Sequence, residues 1–334
     1  MQIVPASLLL DISRKRAGHR ERRDASWFWC SKGDVGVGLP AAVGELFRGQ
    51  TARYIPLLPS IVRGLTTDDL NEMWRGPIAD QAHVILRLAQ SWWFSKELER
   101  HPIAAHAKSQ HIELNSIGLA QHYGVPTGYL DLTDDFDVGA FFATCRMTDQ
   151  GWQPVDEGVG LFYLVRLREL GQDAVRYVPL GPQPLPRPTE QGAWVTELPM
   201  RHSFEGWPGV YMLSFQHDRS VSEHFLELFD GGRLLFPADP LAEAASEILA
   251  CRELPVDLVD GALQSFASDP HGPRPEQLQS IRSEIFRHVS PINGRRLLTD
   301  EQLSALLADD AWRSHRLAEV TAGAVAIRRI PIEP

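Results

Sequence analysis

The sequence predicts an α+β fold in which a mixed or antiparallel central sheet is flanked by helices. Helical patterns occupy both ends of the chain, and the strands between them do not alternate regularly with helices, which is typical of α+β domains rather than of a doubly wound sheet. No period of about 20–50 residues repeats along the 334 residues, so solenoids and propellers are excluded.

Composition limits the classes of function. The chain carries 33 Lys and Arg against 43 Asp and Glu, and its formal net charge of −10 disfavours nonspecific binding to nucleic acid. Three widely spaced cysteines form neither a disulfide framework nor a zinc motif. No apolar run approaches the roughly 20 residues that span a bilayer, and the basic residues near the start follow a short apolar run, unlike those of a secretory signal. We therefore expect a cytoplasmic protein without a membrane span.

The first part of the chain predicts an arm, a strand and a long helix. Residues 1–40 are expected to form an N-terminal arm with solvated basic side chains. A short strand is predicted over residues 44–49, followed by an irregular segment with two prolines. Residues 66–69 supply N-cap side chains for a helical stretch, broken near residue 76, in which apolar residues recur every three or four positions as far as Trp93.

The middle of the chain predicts a helix, a strand and a second helix. The first helix covers residues 111–122 and is ended by Gly124. The alternating pattern of residues 129–133 predicts a strand, and Asp134 and Asp135 both lie in position to cap a buried helix over residues 138–143. A strand, a cap and a helix in this order are a common way to build a site.

The second half of the chain predicts strands first and then helices. Strands are predicted over residues 159–167, 193–198 and 210–215, and helices over residues 222–228, 241–251, 255–266, 275–289 and 300–317, the last with Thr299 as its N-cap. We divide the chain into the arm, one domain over residues 41–251, and a helical C-terminal extension over residues 252–334.

Several familiar sites are missing from the sequence. It has neither of the glycine-rich fingerprints that bind dinucleotides and phosphates, and no serine nucleophile elbow. No spacing of His, Cys, Asp or Glu matches a zinc or calcium motif, so no metal is predicted.

A set of short motifs resembles the FRG domain family. The first is Phe47-Arg48-Gly49-Gln50, and the others occupy residues 58–63, 119–127, 130–133, 140–143, 187–194 and 228–237. Together they cover about residues 40–250. What the resemblance implies is chiefly a recurrent domain of bacterial and phage proteins, whose biochemical role is poorly defined.

The order of these motifs is similar to the Arg-Ser-Glu layout of ADP-ribosyltransferases, which implies an ADP-ribosyltransferase-like fold and NAD as substrate. In that layout Arg48 binds the pyrophosphate, and Gly49 lets the backbone approach the ligand. Thr133 braces the site, and Glu190 or Gln191 holds the ribose while positive charge develops on it. Glu205 competes with Gln191 for the third motif position.

The remaining candidate residues complete the predicted NAD site. Tyr123 or His122 is expected to stack on the nicotinamide ring. The other expected binding residues are Gln50, Gln121 and Asp131. The same side chains also have purely structural interpretations, because Arg48 can pair with Asp131, Gln121 and His122 can satisfy backbone groups, and Thr133 can act as an N-cap.

Three functions follow in order of preference. The first is an NAD-dependent ADP-ribosyltransferase or NAD glycohydrolase that acts as a bacterial toxin or anti-phage effector, with a protein or nucleic acid as acceptor. The second is a noncatalytic recognition module in which Arg48, Gln50, Gln121 and Asp131 bind a nucleotide or a phosphorylated ligand. The third is a nuclease that uses His122 and Asp131, which the acidic net charge and the missing metal motif disfavour. The sequence gives no oligomeric state.

Overall fold

A seven-stranded sheet, counted over the described residues, forms the centre of the protein. The computed structural model describes residues 2–20, 27–32, 35–40, 44–66, 73–109, 114–170, 177–180, 185–198, 203–267 and 272–310. The strands of this sheet are β1 (Ile3–Pro5), β4 (Glu45–Gln50), β5 (Tyr129–Thr133), β8 (Val159–Arg166), β9 (Tyr177–Pro179), β10 (Ala193–Glu197) and β11 (Val210–Gln216). Their order is β1-β11-β8-β4-β5-β10-β9, and all neighbours are antiparallel except β1 and β11.

Three smaller pairs of strands lie outside the central sheet. They are β2 (Trp27–Lys32) with β3 (Val35–Pro40), β6 (Cys145–Thr148) with β7 (Gly151–Pro154), and β12 (Glu253–Pro255) with β13 (Ser290–Ile292). The helices are α1 (Ser7–Arg20), α2 (Ile78–Arg100), α3 (Pro102–Ser109), α4 (Ser116–His122), α5 (Phe136–Thr144), α6 (Pro186–Glu190), α7 (Arg219–Leu228), α8 (Pro240–Ala250), α9 (Val256–Ala267), α10 (Pro275–His288) and α11 (Asp300–Ala308). The large, mostly antiparallel sheet and the helices that flank it confirm the predicted α+β class.

Side chains cover both faces of the sheet. On one face, α1, α5 and α7 bury an aromatic core that includes Phe47, Phe141 and Phe225. On the other face the core includes Leu46 and Tyr163, because successive residues of a strand point to opposite faces. A third core, which we call the helical core, joins α2, α3 and α4 to α8, α9 and α10.

Residues 3–16, within the predicted N-terminal arm, pack against the sheet instead of standing free in solvent. β1 adds a parallel strand to the edge at β11, and Leu9 of α1 is fully buried. The Arg16 guanidinium lies over the rings of Phe47 and Phe136, so part of the basic run is used for packing. The sequence does not indicate this, because three apolar residues in a row have no helical or strand period.

The predicted C-terminal extension shares a core with the rest of the chain. Leu258 of α9 and Ile281 of α10 belong to the same buried cluster as Ile85 of α2. Thr299 caps α11 as predicted, since its side chain accepts a hydrogen bond from the Gln302 backbone N–H at 3.1 Å. The predicted continuation of this helix beyond residue 310 lies outside the described residues.

The helical core contains a histidine that makes stability depend on pH. His101 is 2% exposed, and burial lowers the pKa of its imidazole to about 4 despite the opposing field of Asp239. In the unfolded chain the pKa is about 6.5, so between these values the unfolded state binds the proton and the folded state does not. Stability is therefore retained above about pH 6.5 and falls as the pH drops towards 4, by up to about 3 kcal/mol.

Urea unfolding of wild type at pH 7 and pH 5 is expected to show this loss. His101→Gln removes this titrating group and reduces the difference between the two pH values. His224→Gln, at an exposed position of α7, is the matched control and leaves the difference unchanged. An equal pH dependence in wild type and His101→Gln would contradict the assignment.

Candidate functional site

The central sheet is nearly split between β4 and β5. β4 pairs with β8 along all six residues, but it pairs with β5 only between Phe47 and Thr133. We call the unpaired region beyond this contact the β4–β5 gap. A cleft of about 280 Å³, open to solvent, lies along it. Its lining residues are Phe47, Arg48, Gly49, Gln50, Thr51, Tyr54, Arg63, His122, Asp131, Leu132, Thr133, Val138, Gly139, Phe142, Cys145, Trp152 and Gln191.

Arg48 bridges the β4–β5 gap with its side chain. Its Nη1 donates to the backbone oxygen of Asp131 at 2.6 Å and lies 2.6 Å from the Asp131 carboxylate. The Arg48 side chain is 10% exposed, and its Nε is buried without a hydrogen-bond partner among the described residues. The predicted ion pair with Asp131 is present, but it leaves donor capacity of the guanidinium unused.

Asp131 is the acidic residue in the cleft lining. Burial alone raises the pKa of its carboxyl group, but Arg48, His122 and Arg63 outweigh this effect and hold the pKa well below its usual range. The side chain is 37% exposed, so the ionised carboxylate remains open to a ligand. With Arg48 and Arg63 as the cationic lining residues, the cleft carries a local positive excess in a protein of net charge −10.

His122 and Gln191 form a polar wall of the cleft. Gln191 Nε2 donates to Leu235 O at 3.0 Å, which directs its Oε1 towards His122 Nδ1, also at 3.0 Å. The Nδ1–H therefore donates to this oxygen. His122 Nε2 lies 3.3 Å from Trp194 O. Both polar atoms of the Gln191 side chain therefore have partners within the protein, and the His122 imidazole is held between Gln191 Oε1 and Trp194 O.

Thr133 braces the end of β5. Its hydroxyl donates to Gln191 O at 2.6 Å and accepts from the Asp135 backbone N–H at 2.9 Å. Asp135 in turn caps α5 by accepting from the backbone N–H groups of Asp137 and Val138. Thr133 therefore ties the end of β5 to the C-cap residue of α6 and to the N-cap residue of α5. Its role in binding a ligand stays a prediction.

Gln121 lies behind the cleft and orients Asp131. Its Nε2 donates to Asp131 Oδ1 at 3.2 Å, and its Oε1 accepts from Ser60 Oγ and Thr127 Oγ1 at 2.9 and 2.8 Å. Gln50 lines the cleft directly, and its Oε1 lies 3.4 Å from the Tyr163 hydroxyl.

Gly49 allows a close contact inside the protein as well as lining the cleft. A Cβ atom at this position would lie 2.1 Å from Gly139 O and 2.2 Å from Ala143 N, both backbone atoms of α5. The residue is therefore required for α5 to lie directly on β4. The sequence predicts that the missing side chain of Gly49 lets backbone approach a ligand. In the structure the missing side chain allows a close approach, but the backbone that fills the space is that of α5.

Aromatic side chains form the remaining wall. The partly buried Phe142 and Trp152 line the cleft beside the buried Phe47, and Tyr54, which is 60% exposed, lies at its rim. Trp152 stacks on Phe236 with 5.2 Å between ring centroids, so its orientation is fixed. The sequence predicts Phe142 as part of a buried helix, and it does not indicate Trp152, because a lone tryptophan in a hairpin carries no periodic signal.

Tyr123 lies away from the cleft. Its side chain is 3% exposed and belongs to the helical core, where it packs on Phe94 and lies 4.9 Å from the Arg187 guanidinium. Its hydroxyl donates to the Asp239 carboxylate. Tyr123 therefore cannot stack on a ligand in the cleft, and the prediction that it does so is corrected: the residue lies at the C-cap of α4, one position past His122, where its side chain enters the helical core.

The two predicted third-motif carboxylates also lie elsewhere. Glu190 is exposed at the end of α6. Glu205 accepts hydrogen bonds from the Leu57 backbone N–H and from the Tyr163 hydroxyl, at 3.0 and 3.1 Å, and is absent from the cleft lining. Of the predicted residues, the cleft collects Arg48, Gly49, Gln50, His122, Asp131, Thr133 and Gln191.

A split antiparallel sheet with an arginine across the gap defines an α+β domain built around a polar cleft. The FRG domain family model matches residues 44–151, so the chain contains an FRG domain. The match includes β4 with Arg48, α4 with His122, and β5 with Asp131 and Thr133. Trp152 and Gln191 lie beyond it, and the wider domain boundaries of 41 and 251 stay predictions. Neither a curated protein nor a solved structure matches the chain.

Two further properties concern only the described part of the chain. No group of three or more His, Cys, Asp or Glu side chains there is arranged to hold a metal ion. The helices found in the same residues are too short or too polar to cross a bilayer.

Proposed function

We propose that the FRG domain binds NAD in the cleft and cleaves nicotinamide from the NAD, either by transferring ADP-ribose to an acceptor or by hydrolysis. The observation that carries the proposal is Arg48, a largely buried guanidinium with an unpartnered Nε, held across the β4–β5 gap. The order of Arg48, Thr133 and Gln191 along the chain, and their convergence on one cleft, support the similarity to ADP-ribosyltransferases.

The two walls of the cleft suit the two parts of such a ligand. Arg48 binds the pyrophosphate through charge-assisted hydrogen bonds, which are among the strongest that a protein makes. The cationic nicotinamide ring suits the aromatic wall of Phe142 and Trp152. The volume of about 280 Å³ lies near the lower end of ligand pockets, so it holds one nucleoside half while the other half extends past Tyr54.

Asp131 supplies the electrostatic part of the proposed reaction. The bond between ribose C1′ and the nicotinamide nitrogen breaks, and its electron pair leaves with nicotinamide, whose ring becomes neutral. Positive charge then develops on the ribose, and a fixed carboxylate stabilises it more than it stabilises the ground state. Water or an acceptor hydroxyl attacks C1′ and loses its proton. Glu190 and Gln191 contribute no carboxylate to this step, whereas Asp131 is ionised and exposed to the cleft.

The biological role belongs to the same proposal. Depletion of NAD, or modification of a protein or nucleic acid, is the activity of a toxin or an anti-phage effector acting in the cytoplasm. The test is to incubate purified protein with NAD labelled in the ADP-ribose part and to follow nicotinamide release together with label on added lysate. Label on a macromolecule identifies a transferase, free ADP-ribose identifies a glycohydrolase, and no release at saturating NAD overturns the proposal.

Asp131→Asn separates binding from chemistry. An asparagine Oδ1 still accepts from Arg48 Nη1 and Gln121 Nε2, so the geometry is retained while the negative charge is lost. We expect nicotinamide release to fall by about 100-fold or more, with NAD affinity changed by less than about threefold. Asp260→Asn, which removes a charge from a surface ion pair with Arg282, is the matched control with unchanged turnover. Full activity of Asp131→Asn would exclude the proposed role.

A second candidate is a noncatalytic module that binds a nucleotide or phosphorylated ligand. Two observations favour it: the Gln191 side chain is used in hydrogen bonds within the protein, and Glu190 is exposed outside the cleft lining. An ADP-ribosyltransferase-like site would instead have a free carboxylate in the cleft. NAD or ADP-ribose binding that depends on Arg48, without any nicotinamide release, would establish this alternative.

A further inference from the structure

A second arginine shares the cleft with Arg48. Arg63 lines the cleft and lies within electrostatic range of both Arg48 and Asp131. Arg63 is exposed, and partial desolvation lowers its pKa; the neighbouring Arg48 lowers this pKa further, and Asp131 opposes both effects. The cleft thus brings two guanidinium groups towards one carboxylate, which is an arrangement that favours an added anion.

The backbone that carries Arg63 is held in place by helix α2. Arg87 Nη1 donates to the backbone oxygens of Ser60, Ile61 and Arg63, at 2.7, 3.2 and 2.7 Å. The Arg63 side chain is oriented as well, because its Nε donates to Leu58 O at 2.9 Å. A guanidinium on an anchored loop loses less conformational entropy on binding than a free surface arginine does.

The same loop is connected to Asp131. Ser60 Oγ donates to Gln121 Oε1, and Gln121 Nε2 donates to Asp131 Oδ1. Ser60 Oγ also accepts from the Thr127 backbone N–H at 2.9 Å. The positions of Arg48 and Arg63 are therefore set by one network that passes through Asp131, so the two cations are parts of a built site.

We propose that Arg63 is a second phosphate-binding residue and that Arg48 and Arg63 together select ligands with two adjoining phosphates. The cleft then recognises nucleoside diphosphates and their conjugates in preference to monophosphates. The inference rests on the proposed function in that both place a nucleotide in this cleft, but it concerns binding and does not require turnover. The planar fork of one guanidinium matches one phosphate group, so two guanidinium groups in the same cleft suit two adjoining phosphates.

The affinities of ADP, AMP and inorganic pyrophosphate, measured by calorimetry at fixed salt, test the proposal. Wild type is expected to bind ADP at least about tenfold more tightly than AMP. Arg63→Gln is expected to weaken ADP and pyrophosphate by about 10- to 100-fold and AMP by less than about threefold. Arg63→Lys keeps the charge without the planar fork, and its affinity for ADP is expected to lie between those of wild type and Arg63→Gln.

Arg282→Gln is the matched control, since it removes one positive charge from the surface of α10 and is expected to bind as wild type does. Because Arg87 contacts only the backbone of Arg63, the loop keeps its anchor in Arg63→Gln, and an unchanged melting temperature verifies this. Equal affinities for ADP and AMP in wild type, equal loss of both in Arg63→Gln, or no binding of ADP and pyrophosphate would overturn the proposal. ADP selectivity without nicotinamide release would support it and refute the proposed NAD chemistry instead.

Discussion

Nicotinamide release is expected to fall by at least about 100-fold in Arg48→Lys, although the positive charge is kept. The arginine uses Nη1 for two contacts with Asp131 and still has an unpartnered Nε. A lysine ammonium is a point charge that lacks the planar fork, so it cannot hold Asp131 and a phosphate in the same geometry. Loss of charge-assisted hydrogen bonds at about 1.5–3 kcal/mol each accounts for an effect of this size.

The measurement is kcat/KM for NAD beside the affinity for ADP-ribose. Both parameters are expected to change, because the clamp acts in the ground state and in the transition state. Arg282→Lys, at the surface of α10, is the matched control and is expected to leave both kcat/KM and the affinity for ADP-ribose unchanged. Retention of more than about one third of wild-type activity in Arg48→Lys would show that the fork is not used.

Gly49→Ala is expected to destabilise the protein by about 3 kcal/mol or more. The added methyl group would lie 2.1 Å from the backbone oxygen of Gly139 and 2.2 Å from the backbone nitrogen of Ala143. Neither atom can turn away as a side chain does, so α5 must move off β4, which opens the core around Phe47. Because domains are stable by only about 5–15 kcal/mol, a large fraction of this stability is lost.

Urea unfolding measures the effect, with Gly128→Ala as the matched control. An added Cβ at Gly128 has no atom within 4 Å, and we expect a change of less than about 0.5 kcal/mol there. A loss below about 1 kcal/mol in Gly49→Ala would mean that α5 adjusts its position without cost. That outcome would weaken the assignment of Gly49 as a packing residue.

The local patterns predicted the elements that carry the cleft. β5 has the predicted bounds, β4 begins and ends one residue later than predicted, and Asp135, one of the two predicted cap residues, caps α5. These predictions succeed because alternation and capping act over a few neighbouring residues. The chain order of the motifs also predicted that Arg48 and Thr133 lie in one site, although 85 positions separate them in the chain.

The errors lie where long-range packing decides. His122 and Tyr123 are neighbours in the chain, and only the course of α4 sends one side chain to the cleft and the other into the helical core. The order of residues likewise did not show that Glu190 faces solvent. Arg63 belonged to a recognised motif but received no role, because its relation to Arg48 appears only when the loop is anchored by Arg87.

The β4–β5 gap has a mechanical consequence for the domain. It divides the sheet into a four-stranded half, β1-β11-β8-β4, and a three-stranded half, β5-β10-β9. Within the plane of the sheet, one residue pair and the Arg48 side chain connect these halves. A side chain thus replaces a row of main-chain hydrogen bonds as a cross-link. Any ligand that binds Arg48 acts on the same cross-link, so the cleft and the connection between the two halves of the sheet share one guanidinium.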